Sequence, residues 1–243
     1  MQFIKGAFSV AALSAIAAFS HVGSAQAISF KMTTGVAGPN GVTNQGAYSE
    51  FYTLKETTTI DFNSGAAPTT GFAQYSFANT SGSSSVRSDV WAPAGPTGEV
   101  NTGNYLAVFQ GNEVTIKLAE TLNYFGINWG AISGGNVFSF FKDNQLVKSF
   151  STEDVNPLAL VHADQHGGEG NGYLHFYSEG ADDNFNKIVI TQTGGGGFES
   201  DNHSFHVGKG SFTPVPEPSI VLGLMAAGGS LLLKRKKHAG VEE

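Results

Sequence analysis

The sequence predicts an all-β protein: an antiparallel β-sandwich, jelly-roll-like, flanked by an N-terminal signal peptide and a C-terminal membrane helix. Three observations carry this. The chain holds 32 glycines and 19 phenylalanines against 14% charged residues, whereas helix-rich chains carry more Glu, Lys, Arg and Leu. Roughly ten short runs of strand-forming residues follow one another, separated by Gly, Asn, Asp, Ser and Pro clusters. Between residues 28 and 213 no amphipathic stretch reaches three helical turns, which excludes a βαβ arrangement. A length of 243 residues suits one domain with extensions, and the absence of cysteine means that the domain holds together without disulfides.

Glu50–Lys55 and Thr57–Phe62 read as strands, and Gly71–Phe77 as a third through Phe72, Tyr75 and Phe77. Asn79–Ser85 is a loop, and Ser88–Asn101 is a long exposed one, with two prolines and two glycines around Trp91. Tyr105–Phe109 is a strand, and Val114–Leu118 alternates as a half-buried strand should. Leu122–Trp129 follows. Asn136–Phe141 and Gln145–Phe150 flank Lys142-Asp143-Asn144, a hairpin turn. Gly172–Ser178 sets Tyr173, His175 and Tyr177 on one face and Leu174 and Phe176 on the other. Phe185–Thr191 and His203–Val207 complete the set.

The two ends carry targeting information. Lys5 forms a positive n-region, Gly6–Phe19 an apolar h-region and Ala25-Gln26-Ala27 a small-x-small cleavage pattern, so residues 1–27 read as a signal peptide cut by signal peptidase. Residues 28–213 are the β-domain. Residues 214–243 are a tail: Pro214, Pro216 and Pro218 are stiff and extended, Ile220–Leu233 is uncharged, and Lys234, Arg235, Lys236 and Lys237 follow. Fourteen helical residues reach about 21 Å, short of a bilayer core of about 30 Å. The basic cluster still suits the cytoplasmic side of a membrane, and its lysines can snorkel.

Pro216-Glu217-Pro218, the apolar run and the basic cluster together resemble the PEP-CTERM sorting signal of bacterial surface proteins. The resemblance covers roughly residues 214–237, with six residues trailing the cluster. It implies recognition by an exosortase in the inner membrane, processing of the tail, and delivery to the cell surface or an extracellular matrix rich in exopolysaccharide. Asn184–Ile190 followed by Gly197-Phe198-Glu199 and Asp201-Asn202 also resembles the last strands of many exosortase-sorted β-sandwich proteins.

The resemblance concerns destination, so activity is read from the residues themselves. Between Ile28 and Pro218 stand 8 basic and 18 acidic residues, a net charge of −10. Nucleic acid is therefore an unsuitable partner, since phosphate contacts need clustered cations. His162, Asp164, His166 and Glu169 lie close together, but no Glu follows the first His as a zincin requires; zinc would need loop geometry with His175 or His203. Calcium suits an acidic exported domain better: Glu179, Asp182, Asp183 and Asn184 form one oxygen-rich group, and Glu199, Asp201 and Asn202 a second. Neither has EF-hand spacing.

No Gly-x-Ser-x-Gly elbow occurs, and Gly194–Gly197 lacks the Lys-Ser/Thr ending of a phosphate loop, so no catalytic residues are assigned and a non-enzymatic protein is expected. Carbohydrate binding is open through Trp91, Trp129, Tyr173 and Tyr177, because aromatic faces pack on sugar rings. Trp91 is the best placed, sitting in a Pro/Gly loop. The alternative is a secreted polysaccharide-acting enzyme, which would need two carboxylates flanking a cleft.

Overall fold

The computed structural model describes residues 28–79, 84–155, 159–178 and 180–206. Among the described residues thirteen strands form two antiparallel sheets, an all-β sandwich. They are β1 (Ser29–Thr33), β2 (Thr57–Ile60), β3 (Ala73–Ala78), β4 (Ser85–Arg87), β5 (Tyr105–Phe109), β6 (Glu113–Leu122) and β7 (Tyr124–Ile132). Then follow β8 (Asn136–Lys142), β9 (Gln145–Ser151), β10 (Val161–His162), β11 (Gly170–Tyr177), β12 (Phe185–Gln192) and β13 (Gly197–His206). The larger sheet runs β1-β11-β7-β13-β5-β4, with β10 also on β11 and β2 also on β13; the smaller runs β3-β6-β12-β8-β9.

Aromatic side chains fill the space between the sheets. Phe125, Ile127 and Trp129 of β7 alternate inward with Leu174 and Phe176 of β11, and meet Ile188, Ile190, Phe138 and Phe140 of the smaller sheet. Ring centroids lie 5.0 Å apart for Trp129–Phe138, 4.7 Å for Phe138–Phe198 and 4.8 Å for Phe140–Phe176. Burial of each such ring contributes about 1.5–3 kcal/mol, which explains why no disulfide is needed.

Local turn chemistry fixes the register. Asp143 (φ 49°) and Asn144 (φ 68°) close the β8–β9 hairpin as a two-residue loop with both φ positive, the twist-matched form that Asn and Asp tolerate. In β13, the register shifts against β7 between Asp201 and Ser204, and Asn202 has φ 46°. This bulge resets the alternation: Phe198 lies inward before it, and His203 and Phe205 lie inward after it, against Phe125.

Several expectations are corrected. Glu50–Lys55 is a turn rather than a strand; it drops Phe51 edge-on onto Tyr124 and His175, at 5.5 Å from each. Ser29–Thr33 and Ser85–Arg87 are strands that read as irregular in sequence, and β13 begins at Gly197 rather than near His203.

The outer face of the larger sheet is also covered. The segments 34–56 and 88–104 lie across it, tied down by a polar layer. Ser49 Oγ, Tyr124 Oη and His175 Nδ1 form a chain of 2.8 and 2.7 Å hydrogen bonds, and Tyr173 Oη donates to Asn202 O at 2.8 Å. Asn202 Nδ2 donates to Gln45 O and Ala47 O, and Asn128 Nδ2 to Ala94 O. Gly46 (φ +76°) sits among the amide nitrogens of Asn101, Asn128 and Asn202, where any Cβ would clash. Gly130 likewise lets Pro93 approach β7, because a Cβ there would lie 2.5 Å from Pro93 Cα.

Candidate functional site

A cleft of about 340 Å³ opens on the outer face of the larger sheet, where the ends of β5, β7 and β13 meet the 88–104 segment. Trp91, Phe109, Ala131, Ser133, Glu169, Gly196, Gly197 and Glu199 line it. Its volume falls within the range of small-ligand sites, about 300–1,000 Å³.

Trp91 is the aromatic wall and remains 45% exposed. It is held from both sides. Asp89 Oδ1 accepts the Trp91 backbone N–H at 3.2 Å and the Tyr105 hydroxyl at 2.6 Å, while Asp89 Oδ2 pairs with Arg87 Nε at 2.9 Å. Burial works against ionising Asp89, yet these donors outweigh it and hold its carboxyl below the usual range. Behind the indole, the His166 imidazole stacks at 6.0 Å with planes 13° apart. His166 is itself fixed, with Nδ1 3.1 Å from Asn171 Oδ1 and Nε2 3.1 Å from Val90 O. Burial lowers its pKa, against the pull of those two acceptors.

Two carboxyl groups complete the cleft. Glu199 lies on β13 between Ala107 of β5 and Gly130 of β7. Only 6% of it is exposed, and among the described residues no side chain donates a hydrogen bond to it. Gly197, two residues earlier on the same face, makes room for it, since a Cβ there would fall on Glu199 Oε1. Burial, then the neighbouring Glu169 and Asp89 carboxylates, push the Glu199 pKa up to about 8, with its own backbone amide and Arg87 opposing. Glu199 therefore favours its neutral form at neutral pH. Glu169 stands in the turn before β11, whose backbone carbonyl accepts from Asn171 Nδ2 at 3.2 Å.

The structure separates the sugar-binding candidates. Trp91 faces the cleft. Trp129 and Tyr173 are fully buried, one in the inter-sheet core and one under the 34–56 segment, so neither offers a face to a sugar. Tyr177 is half-buried at the opposite end of β11, paired with Ser29 and Tyr124, and does not line the cleft. Strand alternation placed Tyr173, His175 and Tyr177 on one face of β11; the covering segment buries Tyr173 and His175 on that face.

The oxygen-rich groups have local tasks. Ser178 Oγ donates to Asn184 Oδ1, Lys142 Nζ donates to Asp182 O, and Asp183 closes a 3-10 turn on Gly180. A calcium ion at Asn184 would have to displace the Ser178 hydroxyl. Glu179 lies outside the described residues. Asp201 is buried and accepts from Asn101 Nδ2 at 2.9 Å and the Asn202 amide at 2.7 Å; burial raises its pKa well above the usual carboxylate range. Asn202 clamps residues 45–47, while Glu199 faces the cleft. Among the described residues no three His, Asp or Glu side chains group as a metal site. The histidines considered for zinc are dispersed: His166 backs Trp91, His175 bonds Tyr124, and His203 is in the core between Tyr75 and Ser200.

The sorting triplet Pro216, Glu217 and Pro218 and both chain ends lie outside the described residues. Among the described residues no helix is long and apolar enough to cross a membrane. Phe109 and His166 were not singled out as sugar-site residues by sequence: Phe109 ends β5, and His166 meets Trp91 only because the fold brings the Ser88–Asn101 loop to the His162–Asn171 stretch. No protein-family model matches the chain, and no curated protein matches it in sequence.

Proposed function

We propose that this chain is an exported, non-enzymatic cell-surface or matrix protein whose β-sandwich binds a saccharide in the Trp91 cleft. Signal peptidase removes residues 1–27, the inner membrane holds the tail in transit, and an exosortase recognises Pro216-Glu217-Pro218 and processes it. This reading takes the sandwich as jelly-roll-like, between a signal peptide and a C-terminal membrane helix. Exopolysaccharide around the cell is the partner.

The observation that supports saccharide binding is the half-exposed indole of Trp91, braced on His166 beside two carboxyl groups. An exposed, rigid aromatic face is costly in water and suits the apolar face of a sugar ring, while carboxyl oxygens bond hydroxyls. The test is co-sedimentation of the mature protein with exopolysaccharide from the producing cells. Wild type co-sediments and Trp91→Ala remains in the supernatant. Equal recovery of both proteins in the pellet refutes the cleft as the binding site.

The pairing of Glu199 with Glu169 favours a second reading, hydrolysis of a polysaccharide. Glu199 would give its proton to the departing glycosidic oxygen while Glu169 takes one from the water that attacks the anomeric carbon. Release of reducing ends from that exopolysaccharide by wild type, and none by Glu199→Gln, would establish it.

A further inference from the structure

The saccharide reading leaves open which sugar chemistry the cleft prefers, and its charges bear on that. Among the described residues eight line it; two are glutamates and none is Lys, Arg or His. Among the described residues the cation acting on Glu199 is Arg87, which is tied to Asp89 at 2.9 Å and lies over the Phe109 ring, 5.3 Å from its centroid. The charged groups acting on Glu199 are Glu169, Asp89 and Arg87, so the surroundings of its carboxyl are net negative. An anionic saccharide would meet two carboxyl groups and, among the described lining residues, no cation.

We infer that the cleft selects a cationic amino sugar, a saccharide unit bearing a free ammonium that sits between the Trp91 indole and the Glu199 and Glu169 carboxyl groups. This inference rests on the saccharide reading. Three features support it beyond carboxyl count. The indole is one wall of the cleft, and an ammonium over an aromatic face is attracted by the ring quadrupole, more strongly when desolvated. Glu199 is more than nine-tenths buried and receives no side-chain hydrogen bond from the described residues, so its carboxyl has bonding capacity to spare. The same burial makes an ammonium contact worth more than it would be on the surface. As the ion pair forms, the Glu199 acid gives up its proton, to the buffer where the sugar arrives as an ammonium and to the amine where it arrives as a free base.

The experiment is isothermal titration of the mature protein with glucosamine oligomers and with N-acetylglucosamine oligomers of equal length. The free-amine oligomer is expected to bind about tenfold more tightly, the N-acetyl form having lost its charge. At a pH where the amine is fully an ammonium, its heat should vary with the ionisation enthalpy of the buffer, reporting the proton released by Glu199. Glu199→Gln, which keeps the side-chain shape, should bring the two oligomers to within about twofold of each other; Glu169→Gln serves as the second variant and should narrow the gap. Equal affinities of the wild type for both oligomers, or a preference that survives both substitutions, overturns the amino-sugar inference while the saccharide reading stands. If neither these oligomers nor the producing cells' exopolysaccharide bind, the saccharide reading itself fails.

Discussion

The Trp91 indole lies nearly parallel to the His166 imidazole, 6.0 Å away, and six strands, β5 to β10, lie between the two residues in the chain. His166 donates through one ring nitrogen at most when neutral, yet both nitrogens face acceptors, Asn171 Oδ1 and Val90 O. The ring is therefore a brace for the indole rather than a free base. Replacing His166 with Ala should leave the fold intact, cost about 1–2 kcal/mol of stability, and weaken saccharide binding several-fold by freeing the indole. Chemical denaturation and titration of the same preparation check both halves; unchanged binding would show that Trp91 needs no brace.

Glu199 gives a pH signature with a definite sign. Its folded pKa, pushed up to about 8, exceeds the ordinary carboxylate value of about 4.5, so its cost to the fold is absent below pH 4.5 and grows as pH rises through 8. Glu199→Gln should match wild type at pH 4 and melt several degrees higher at pH 9. Thermal melts across that range decide it, and a constant difference would place the carboxyl in water rather than in the cleft wall.

His203 carries the opposite dependence. Full burial lowers its pKa from 6.5 to about 3, so the stability it confers is complete above pH 6.5 and declines as pH falls toward 3. The stability difference between wild type and His203→Asn should shrink on acidification through that window, because the substitution removes the group that resists protonation. Taking the difference cancels the contributions of Glu199 and the other titrating groups.

The Asp201 clasp joins β13 to the 88–104 segment through Asn101, which also holds Pro93 O at 3.0 Å. Asp201→Ala leaves the Asn101 amide and the Asn202 N–H short of an acceptor in a buried site. A loss of about 2–4 kcal/mol is expected, with the cleft wall at Trp91 loosened as well. Hydrogen exchange at residues 93–101 should accelerate more than exchange in the β8–β9 hairpin.

Sorting is tested on the cells themselves. Intact mass of the mature protein should show loss of residues 1–27 and of the C-terminal tail. A variant with Ala at positions 216, 217 and 218 should retain the tail and stay in the inner membrane. A wild type that keeps its tail there would be an anchored protein instead.

The parts of this architecture that depend on near neighbours in sequence were legible. The Lys142-Asp143-Asn144 turn and the alternation of Val114–Leu118 follow from local rules. The Ser88–Asn101 loop, expected to be exposed, is so at Val90 and Trp91, but Ala92–Pro96 and Asn101 are buried against the larger sheet. What sequence concealed was the second covering of the larger sheet. Tyr173 and His175 occupy positions that alternate like a wet face, and Glu50–Lys55 alternates like a strand, but residues 34–56 fold over that face and pair with it through side chains. The same non-locality hid the site. Glu199 stood out as an oxygen ligand for calcium, and Glu169 as part of a histidine-rich stretch; only the neighbouring of β13 with the turn before β11 sets both carboxyl groups beside Trp91.

The central claim concerns one indole, and the protein has only two tryptophans, one half-exposed and one fully buried. The most direct measurement is a nitrogen–proton correlation spectrum of the two indole N–H groups during titration with the producing cells' saccharide, assigned with Trp91→Ala. The account predicts that the Trp91 signal moves with added saccharide while the Trp129 signal stays in place. A Trp91 signal that does not move while the saccharide binds would contradict it.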